Sequence, residues 1–306
     1  MLTHNQTHFV LIGFSCNPKI QIIIFVGVLL IYCLSLLGNL LIICATCLDR
    51  KLQIPMYILL SNLAVADFCF MSSSVPKLLA SLASHDGSIS LSVCLLQFFS
   101  YYSFGGTELW SLALLSVDRF LAICCPLRYS TIMTRHMCYR LILGSWIFGF
   151  VEFFPGFLAM LQLKFCSKSV FLNHFFCDGS ALLNVSCGGS YLSGYIFLSI
   201  ASFAVLSSLA PTLFSYCCIL TSIFRISAAS GKRKTFSTCS SHLLVVSITY
   251  GSCIFIYIRP AGSMSTSLEK TVAVFNSIFI PLLNPFIYTL RNQKIKKTLK
   301  AFWATK

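Results

Sequence analysis

A chain of 306 residues that is 57% hydrophobic, 10% charged and +0.84 in mean hydropathy lies far from the roughly 25% charged composition of soluble domains, which excludes a water-soluble fold. Its net charge of +14 would suit a nucleic-acid binder, but the 22 basic residues are distributed between apolar stretches rather than gathered in one patch. The excess therefore reads as membrane topology, and no nucleic-acid partner is expected.

The first 21 residues are polar and carry the sequon Asn5-Gln6-Thr7. No basic segment leads into a short apolar core and cleavage site, so a removable signal peptide is not expected; the first span is expected to direct insertion and to place Asn5 outside as a glycosylation site. Seven apolar stretches follow, at residues 22–48, 54–76, 91–117, 141–163, 192–224, 236–258 and 271–290. Each is long enough to cross a hydrocarbon core of ~30 Å at ~1.5 Å per residue. The expected fold is an all-α membrane protein, a seven-transmembrane helix bundle in one domain spanning residues 1–306, since no repeat or linker divides the chain. With the N-terminus outside, 16 lysines and arginines fall on the inner side and only Lys19, Lys77, Lys164, Lys168, Arg259 and Lys270 on the outer. The positive-inside rule then sets the orientation as N-out, C-in.

Only Asp67, Glu108 and Glu152 place carboxylates within the spans, where an ion pathway or proton relay would need a longer polar run. Asp67 lies eleven residues from Met56 and Glu108 eleven from Arg119, a matching depth of ~16 Å at ~1.5 Å per residue, and Asn39 reaches the same depth from Arg50. Two ionised carboxylates closing in a low-dielectric bundle repel, so either one is protonated or a cation lies between them. A structural sodium ion held by Asp67 and Glu108 is the expectation, with a proton-sharing pair as the alternative; no other cofactor is expected.

Of the 16 cysteines, Cys94, Cys166, Cys177 and Cys187 cluster on the outer side, where a disulfide framework is plausible. Four allow three pairings, and Cys16 is a fifth candidate. A second sequon, Asn184-Val185-Ser186, adjoins Cys187 and is a weaker glycosylation site. At the inner end of the third span stands Asp118-Arg119, an ion pair that keeps a guanidinium tolerable beside lipid and that works as a latch if helix movement releases Arg119. The seventh span ends in Pro281-Leu282-Leu283-Asn284-Pro285-Phe286-Ile287-Tyr288. Its two prolines remove backbone hydrogen bonds and predict a hinge near the inner leaflet, with Asn284 capping freed carbonyls or bridging to a neighbour.

These elements, with a basic segment at 291–300 that suits a short amphipathic C-terminal helix, resemble rhodopsin-like G-protein-coupled receptors. Finer motifs are similar to those of the olfactory receptors, of the class II (tetrapod) type, over nearly the whole chain. They are Gly38-Asn39, Leu52-Gln53-Ile54-Pro55-Met56-Tyr57, Ser215-Tyr216, Tyr250-Gly251, His174-Phe175-Phe176-Cys177-Asp178, and above all Lys234-Thr235-Phe236-Ser237-Thr238-Cys239-Ser240-Ser241-His242. Two positions depart from the family pattern. Phe120 lacks the usual tyrosine hydroxyl, and Gln53 replaces the usual imidazole.

The resemblance implies bridges Cys94–Cys177 and Cys166–Cys187, and a binding site for small, mostly neutral, hydrophobic odorants in the outer half of the bundle. Its implied lining is Tyr101, Tyr102, Gly105 and Gly106 from the third helix, Phe197, Ala201 and Ala204 from the fifth, and Tyr250, Cys253, Ile254 and Tyr257 from the sixth. Any one of these also suits ordinary interhelical packing. It implies, too, activation through Asp118, Arg119, Tyr216, Lys234, Ser240, His242, Asn284, Pro285 and Tyr288 of a heterotrimeric G protein with a stimulatory, olfactory-type α subunit, raising cyclic AMP. The partners expected are then a volatile odorant, that G protein and membrane lipid, and the expected location is the plasma membrane of olfactory sensory neurons. A chemosensory receptor for another small lipophilic ligand is the alternative. An opsin would need a lysine between 271 and 290, where there is none. A cationic ligand would call for an acid near Tyr101. A transporter or channel would show internal repeats or rings of charge, and an intramembrane hydrolase a carboxylate dyad or histidine cluster, so no enzymatic activity is expected.

Overall fold

A computed structural model describes residues 8–14, 17–167, 169–187, 191–225, 229–258 and 266–291, with side chains for all of these except 229–238, 266 and 289–291. Asn5, the side chain of Lys234 and the expected C-terminal helix beyond residue 291 lie outside the described residues.

The chain opens with a short strand β1 (His8–Leu11) and enters α1 (Pro18–Leu48). Pro18 suits the first turn of a helix because the N–H it lacks would be unpaired there, and the Asn17 side chain caps the turn by accepting from the Lys19 amide. A 3₁₀ turn (Arg50–Leu52) leads to α2 (Pro55–Ser84), which runs through Pro76 and stops at His85 in the left-handed conformation. Strand β2 (Ser88–Ser90) delivers α3 (Leu91–Cys124), and a short α4 (Pro126–Ile132) connects it to α5 (Arg135–Leu161). The outer loop that follows holds β3 (Ser169–Leu172) and α6 (Gly179–Val185), and α7 (Tyr191–Arg225) and α8 (Ala229–Tyr257) form the fifth and sixth spans. The seventh is built of α9 (Thr266–Val274), a π-helical turn (Phe275–Phe279) and α10 (Ile280–Arg291).

Six of these spans are long and apolar enough to cross a membrane by composition alone. The remaining long helix, the 34-residue α3, is more polar because it packs against α2, α5 and α7 on its several sides and meets little lipid. The seven-helix bundle expected from the sequence is therefore present, with longer helices than hydropathy marks, since polar turns continue past the hydrocarbon boundary.

Three further features were not anticipated. The N-terminal segment, read as simply polar, supplies the middle strand of a three-stranded sheet of order β2-β1-β3, antiparallel to β2 (Phe9 opposite Ile89) and parallel to β3 (Phe9 opposite Val170). Phe9 and Leu11 point into the bundle, and Phe9 meets Phe165 edge-on at 5.0 Å. Lys270 then ties the segment to the seventh span through the Gly13 carbonyl (2.9 Å) and Asn173 Oδ1 (2.6 Å).

The second feature is the position of the helix distortion. The π-helical turn precedes Pro281 directly rather than lying at the inner leaflet, as expected where a proline cannot donate to the carbonyl one turn back. The third concerns Pro285, which for the same reason frees the Pro281 carbonyl. That oxygen is taken by α1, accepting from Ser35 Oγ at 2.9 Å and Asn39 Nδ2 at 3.3 Å. Of the two roles expected for Asn284, capping falls to Asn39 and bridging to a neighbour is the one seen, its Nδ2 donating to Asp67 Oδ2 at 2.9 Å.

Candidate functional site

The outer loop is fastened by the disulfides Cys94–Cys177 and Cys166–Cys187, with Cα separations of 5.4 and 6.1 Å. The first joins the loop to the opening turn of α3, and Gln97 Oε1 reinforces it by accepting from the Cys177 amide at 3.0 Å. The pinned segment drives the buried side chains of His174, Phe175 and Phe176 into the bundle as a plug, with the Phe176 ring 4.2 Å from that of Tyr101.

Asp178 closes the plug from below. Its Oδ1 caps α6 by accepting from the Ser180 and Ala181 amides at 2.9 and 3.3 Å, and its Oδ2 accepts from the Tyr102 hydroxyl at 2.7 Å. Burial alone would raise the Asp178 carboxyl, but nearby His174 and the hydrogen bonds from Ser180, Tyr102 and Ala181 hold it below the usual carboxylate range. Burial pushes His174 the other way, below an ordinary histidine, and outweighs the pull of Asp178.

Beneath the plug lies a small, mostly apolar cavity of about 50 Å³. Of the expected contacts, Tyr101, Tyr102, Gly105, Gly106, Ala201, Ala204, Cys253 and Tyr257 border it. Tyr101 is oriented by a 2.9 Å hydrogen bond to Ser277 Oγ and by the Phe70 ring at 4.7 Å. Three expected residues stand elsewhere. Phe197 packs behind the wall, its ring 5.0 Å from Tyr102. Tyr250 lies below the cavity, donating to the Leu109 carbonyl at 3.2 Å. Ile254 is 37% exposed and does not border the cavity, because adjacent helical residues diverge by about 100° and Cys253 takes the inward direction. Unanticipated neighbours are Phe70, Leu109, Phe153, Val205, Thr249, Asn276 and Ile280, together with Glu108, expected to share a cation or a proton with Asp67. Thr249 and Asn276 carried a usable signal as polar side chains within apolar spans. The aromatic and aliphatic ones carried none.

At the level of Asp67, Asn284 Nδ2 donates to Asp67 Oδ2 at 2.9 Å, and Glu108 lies within electrostatic reach of both residues. Among the described residues no three His, Cys, Asp or Glu side chains converge as a metal cluster. The donor set nevertheless fits a hard monovalent cation, since Asp67 Oδ1, Glu108 Oε1, Asn284 Oδ1 and Asn39 Oδ1 are all buried oxygens lacking hydrogen-bond partners.

At the inner end, Arg119 Nη2 lies 3.3 Å from Asp118 Oδ2, and Tyr129 donates to Asp118 Oδ1 at 2.7 Å. Arg119 is within electrostatic reach of Tyr216, Cys239 and His242, and Tyr216 Oη shares a 2.5 Å hydrogen bond with His242 Nδ1. The Tyr288 ring stands 6.3 Å from that of His242, Pro285 lies one turn away, and Ser240 is half-buried in α8. The two positions that depart from the family pattern both make local contacts. Gln53 Oε1 accepts from Arg135 at 3.4 Å, and Phe120 packs edge-on against Phe214 at 5.9 Å.

A seven-helix bundle with a disulfide-pinned plug over an apolar cavity and an Asp-Arg pair at its far end defines a rhodopsin-like receptor. The sequence model of the olfactory receptor family matches residues 28–306. Human Olfactory receptor 6C76 is 44% identical over 294 residues, covering 96% of this chain and 94% of that protein. Human Olfactory receptor 11G2 is 42% identical across 98% of this chain and 86% of its own length, and mouse Olfactory receptor 6E1 is 43% identical across 96% and 94%. The chain belongs to the olfactory receptor family, a family of multi-pass plasma-membrane receptors rather than enzymes.

Proposed function

We propose that this receptor binds small neutral hydrophobic odorants in the cavity beneath the outer-loop plug and activates a stimulatory, olfactory-type G protein, raising cyclic AMP. The observation that supports the ligand class is the cavity wall, formed almost wholly of aromatic and aliphatic groups from Phe70, Tyr101, Tyr102, Phe153, Val205 and Ile280, with no basic side chain among them. A charged ligand would find no counter-charge of the right sign if anionic, and if cationic only Glu108, which Asn284 already engages. Coupling is supported by the buried Asp118, which holds Arg119 beside Tyr216 and His242. Outward movement of the inner end of α8 would expose Arg119, Tyr216 and the segment around Ser240 to the C-terminal helix of the G protein. A sodium ion bound by Asp67 and Glu108, with the oxygens of Asn284 and Asn39, would neutralise the paired carboxylates in the resting state.

The test is cyclic-AMP output from cells displaying the receptor and exposed to a panel of neutral odorants. Arg119→Ala should abolish the response while surface staining persists. Full signalling by that variant refutes the coupling role of Arg119.

A further inference from the structure

A second space lies outside the plug. It occupies about 260 Å³ among the outer ends of α1 and α2, beside the N-terminal segment, and Ile12, Gln21, Leu78, Ser81, His85 and Phe175 are among the residues that border it. The cavity beneath the plug measures about 50 Å³, space for only a few waters at ~10–15 Å³ each, whereas ~150 Å³ suffices for benzene. In this state the outer chamber, and not the inner cavity, has room for a small organic molecule. Its rim is reachable from outside, since Ile12 is 39% exposed and His85 is exposed. Its lining suits a molecule with an apolar body and one polar group. Ile12 and Leu78 supply aliphatic contact. Ser81 Oγ has no hydrogen-bond partner among the described residues, whereas Ser84 Oγ, three residues on, donates to the Ala80 carbonyl. A hydroxyl both donates and accepts, so Ser81 receives a carbonyl as readily as an alcohol.

The partition between the two spaces is two rings thick. Phe175 borders the outer chamber, and Phe176 meets it at 5.0 Å and stands 4.2 Å from Tyr101, which borders the inner cavity. The backbone on either side of these rings is fixed. The Gly13 amide donates to the His174 carbonyl at 3.1 Å, Lys270 grips Asn173, and the disulfide to Cys94 holds Cys177. The Phe175 ring has no hydrogen-bonding group and is held by packing, against His174 at 4.7 Å and Phe14 at 6.0 Å. In a close-packed interior such a ring could not turn, but the adjoining chamber gives it room. We propose that the outer chamber is a second binding site, in which an odorant is held until the turning of Phe175 admits it to the inner cavity. The inference rests on the odorant-binding reading above and adds the route.

Two measurements on the full-length receptor test it. In the first, receptor in nanodiscs is photolabelled with neutral diazirine-bearing alcohols and ketones on linear, branched and aromatic skeletons, and the adducts are mapped. Saturable adducts are expected on residues 78–85 of α2. Ser81→Phe, which fills the chamber, should remove them, and Ser81→Ala should keep them. In the second, cells displaying the receptor receive the same compounds without the diazirine, and recruitment of a G protein is followed in real time. A side chain that obstructs a path without touching the bound state slows entry and exit by one factor and leaves affinity unchanged, since affinity depends only on the end states. Ser81→Phe should therefore slow onset and washout together by about 10-fold, with potency held within about twofold, and Phe175→Leu should hasten both. Surface staining of each variant separates these effects from loss of folding. Absence of saturable label on the chamber, unchanged rates in a surface-expressed Ser81→Phe, or a change confined to one of the two rates overturns the route while leaving odorant reception standing. Silence to the whole panel at normal surface levels overturns both.

Discussion

Asp178 offers the sharpest test of how the outer loop shapes the cavity, because one carboxylate serves two structures. Its Oδ1 caps α6 through the Ser180 and Ala181 amides, and its Oδ2 holds the hydroxyl of Tyr102, a cavity wall residue, at 2.7 Å. Asp178→Ala removes the cap, worth ~0.5–2 kcal/mol, and strands the buried Tyr102 hydroxyl, which costs a further ~1–3 kcal/mol. Since both losses fall on one loop they will not add fully, and a net loss of about 2–4 kcal/mol is expected. Thermal unfolding of purified receptor in nanodiscs reads the total. A double-mutant cycle with Tyr102→Phe and Asp178→Asn isolates the hydrogen bond, for which a coupling of about 1–2 kcal/mol is expected. Tyr102 should also lose its orientation, so odorant potency should fall in parallel. An Asp178→Ala receptor that melts like the wild type, or a cycle that is additive within ~0.5 kcal/mol, refutes the role of Asp178 as the link between plug and pocket.

Acid should loosen the same plug in two stages. Burial makes folded His174 resist a proton that the unfolded chain accepts, so stability falls as pH drops below the ordinary histidine value of ~6.5. Asp178, held low, contributes stability above ~3.9 and loses it only as pH falls through its depressed value. The melting temperature should therefore decline from neutral pH toward about pH 5 in the wild type and less so in His174→Asn, and equal slopes would contradict this. Gly149→Ala should destabilise the α3–α5 contact by ~1–3 kcal/mol or more, because the new Cβ would stand 2.3 Å from Thr107 Oγ1, 2.7 Å from the Thr107 nitrogen and 2.8 Å from the Ser103 carbonyl. Normal surface levels and melting of that variant would show that the helices part more easily than their backbone contact indicates. Raising sodium should shift the odorant dose response to higher concentrations, and Glu108→Gln should remove the shift. An identical sodium response in both receptors favours a proton shared by Asp67 and Glu108.

The spans were legible because a bilayer imposes a length and a composition on every helix that crosses it, and Asp118-Arg119 and Pro281 to Tyr288 were legible because charge and proline are expensive in those settings. Lining residues were legible on α3, where polar and small residues mark the protein-facing sides. On α8 they were legible only in part: Cys253 and Tyr257 border the cavity, but Cys253 and Ile254 are both apolar and the helix meets lipid on one side and protein on the other. Apolar periodicity cannot separate two apolar environments, so Ile254 was expected inside and stands outside. Strand β1 was hidden for another reason. Four residues, His8–Leu11, alternate too briefly to stand out, and their partners lie 80 to 160 residues away in loops that the disulfides position. The two prolines marked a distortion of the seventh span, but they pointed to a hinge near the inner leaflet, whereas the π-helical turn lies outward of Pro281 at Phe275–Phe279 and α1 satisfies the Pro281 carbonyl.

Glu108 illustrates why a depth count was informative and yet incomplete. Counting from Arg119 placed it level with Asp67, and the two carboxylates are within electrostatic reach of one another. The count says nothing about direction, and Glu108 also borders the cavity. One side chain therefore belongs both to the ligand space and to a cluster whose amide, Asn284, is adjacent to Pro285 and one turn from Tyr288. A ligand shifts a conformational equilibrium only by as much as its affinity differs between the two states. A ligand that touches Glu108 meets that condition if helix movement alters the Asp67–Asn284–Glu108 arrangement. An alkane touching only the walls, whose shape is fixed by the disulfide-pinned plug and the Tyr101–Ser277 and Tyr102–Asp178 bonds, has less to discriminate between the states. On this reasoning odorants that reach Glu108 should exceed in maximal cyclic-AMP response those that touch only the walls, and Glu108→Gln should narrow the difference; equal maxima in the wild type would refute it.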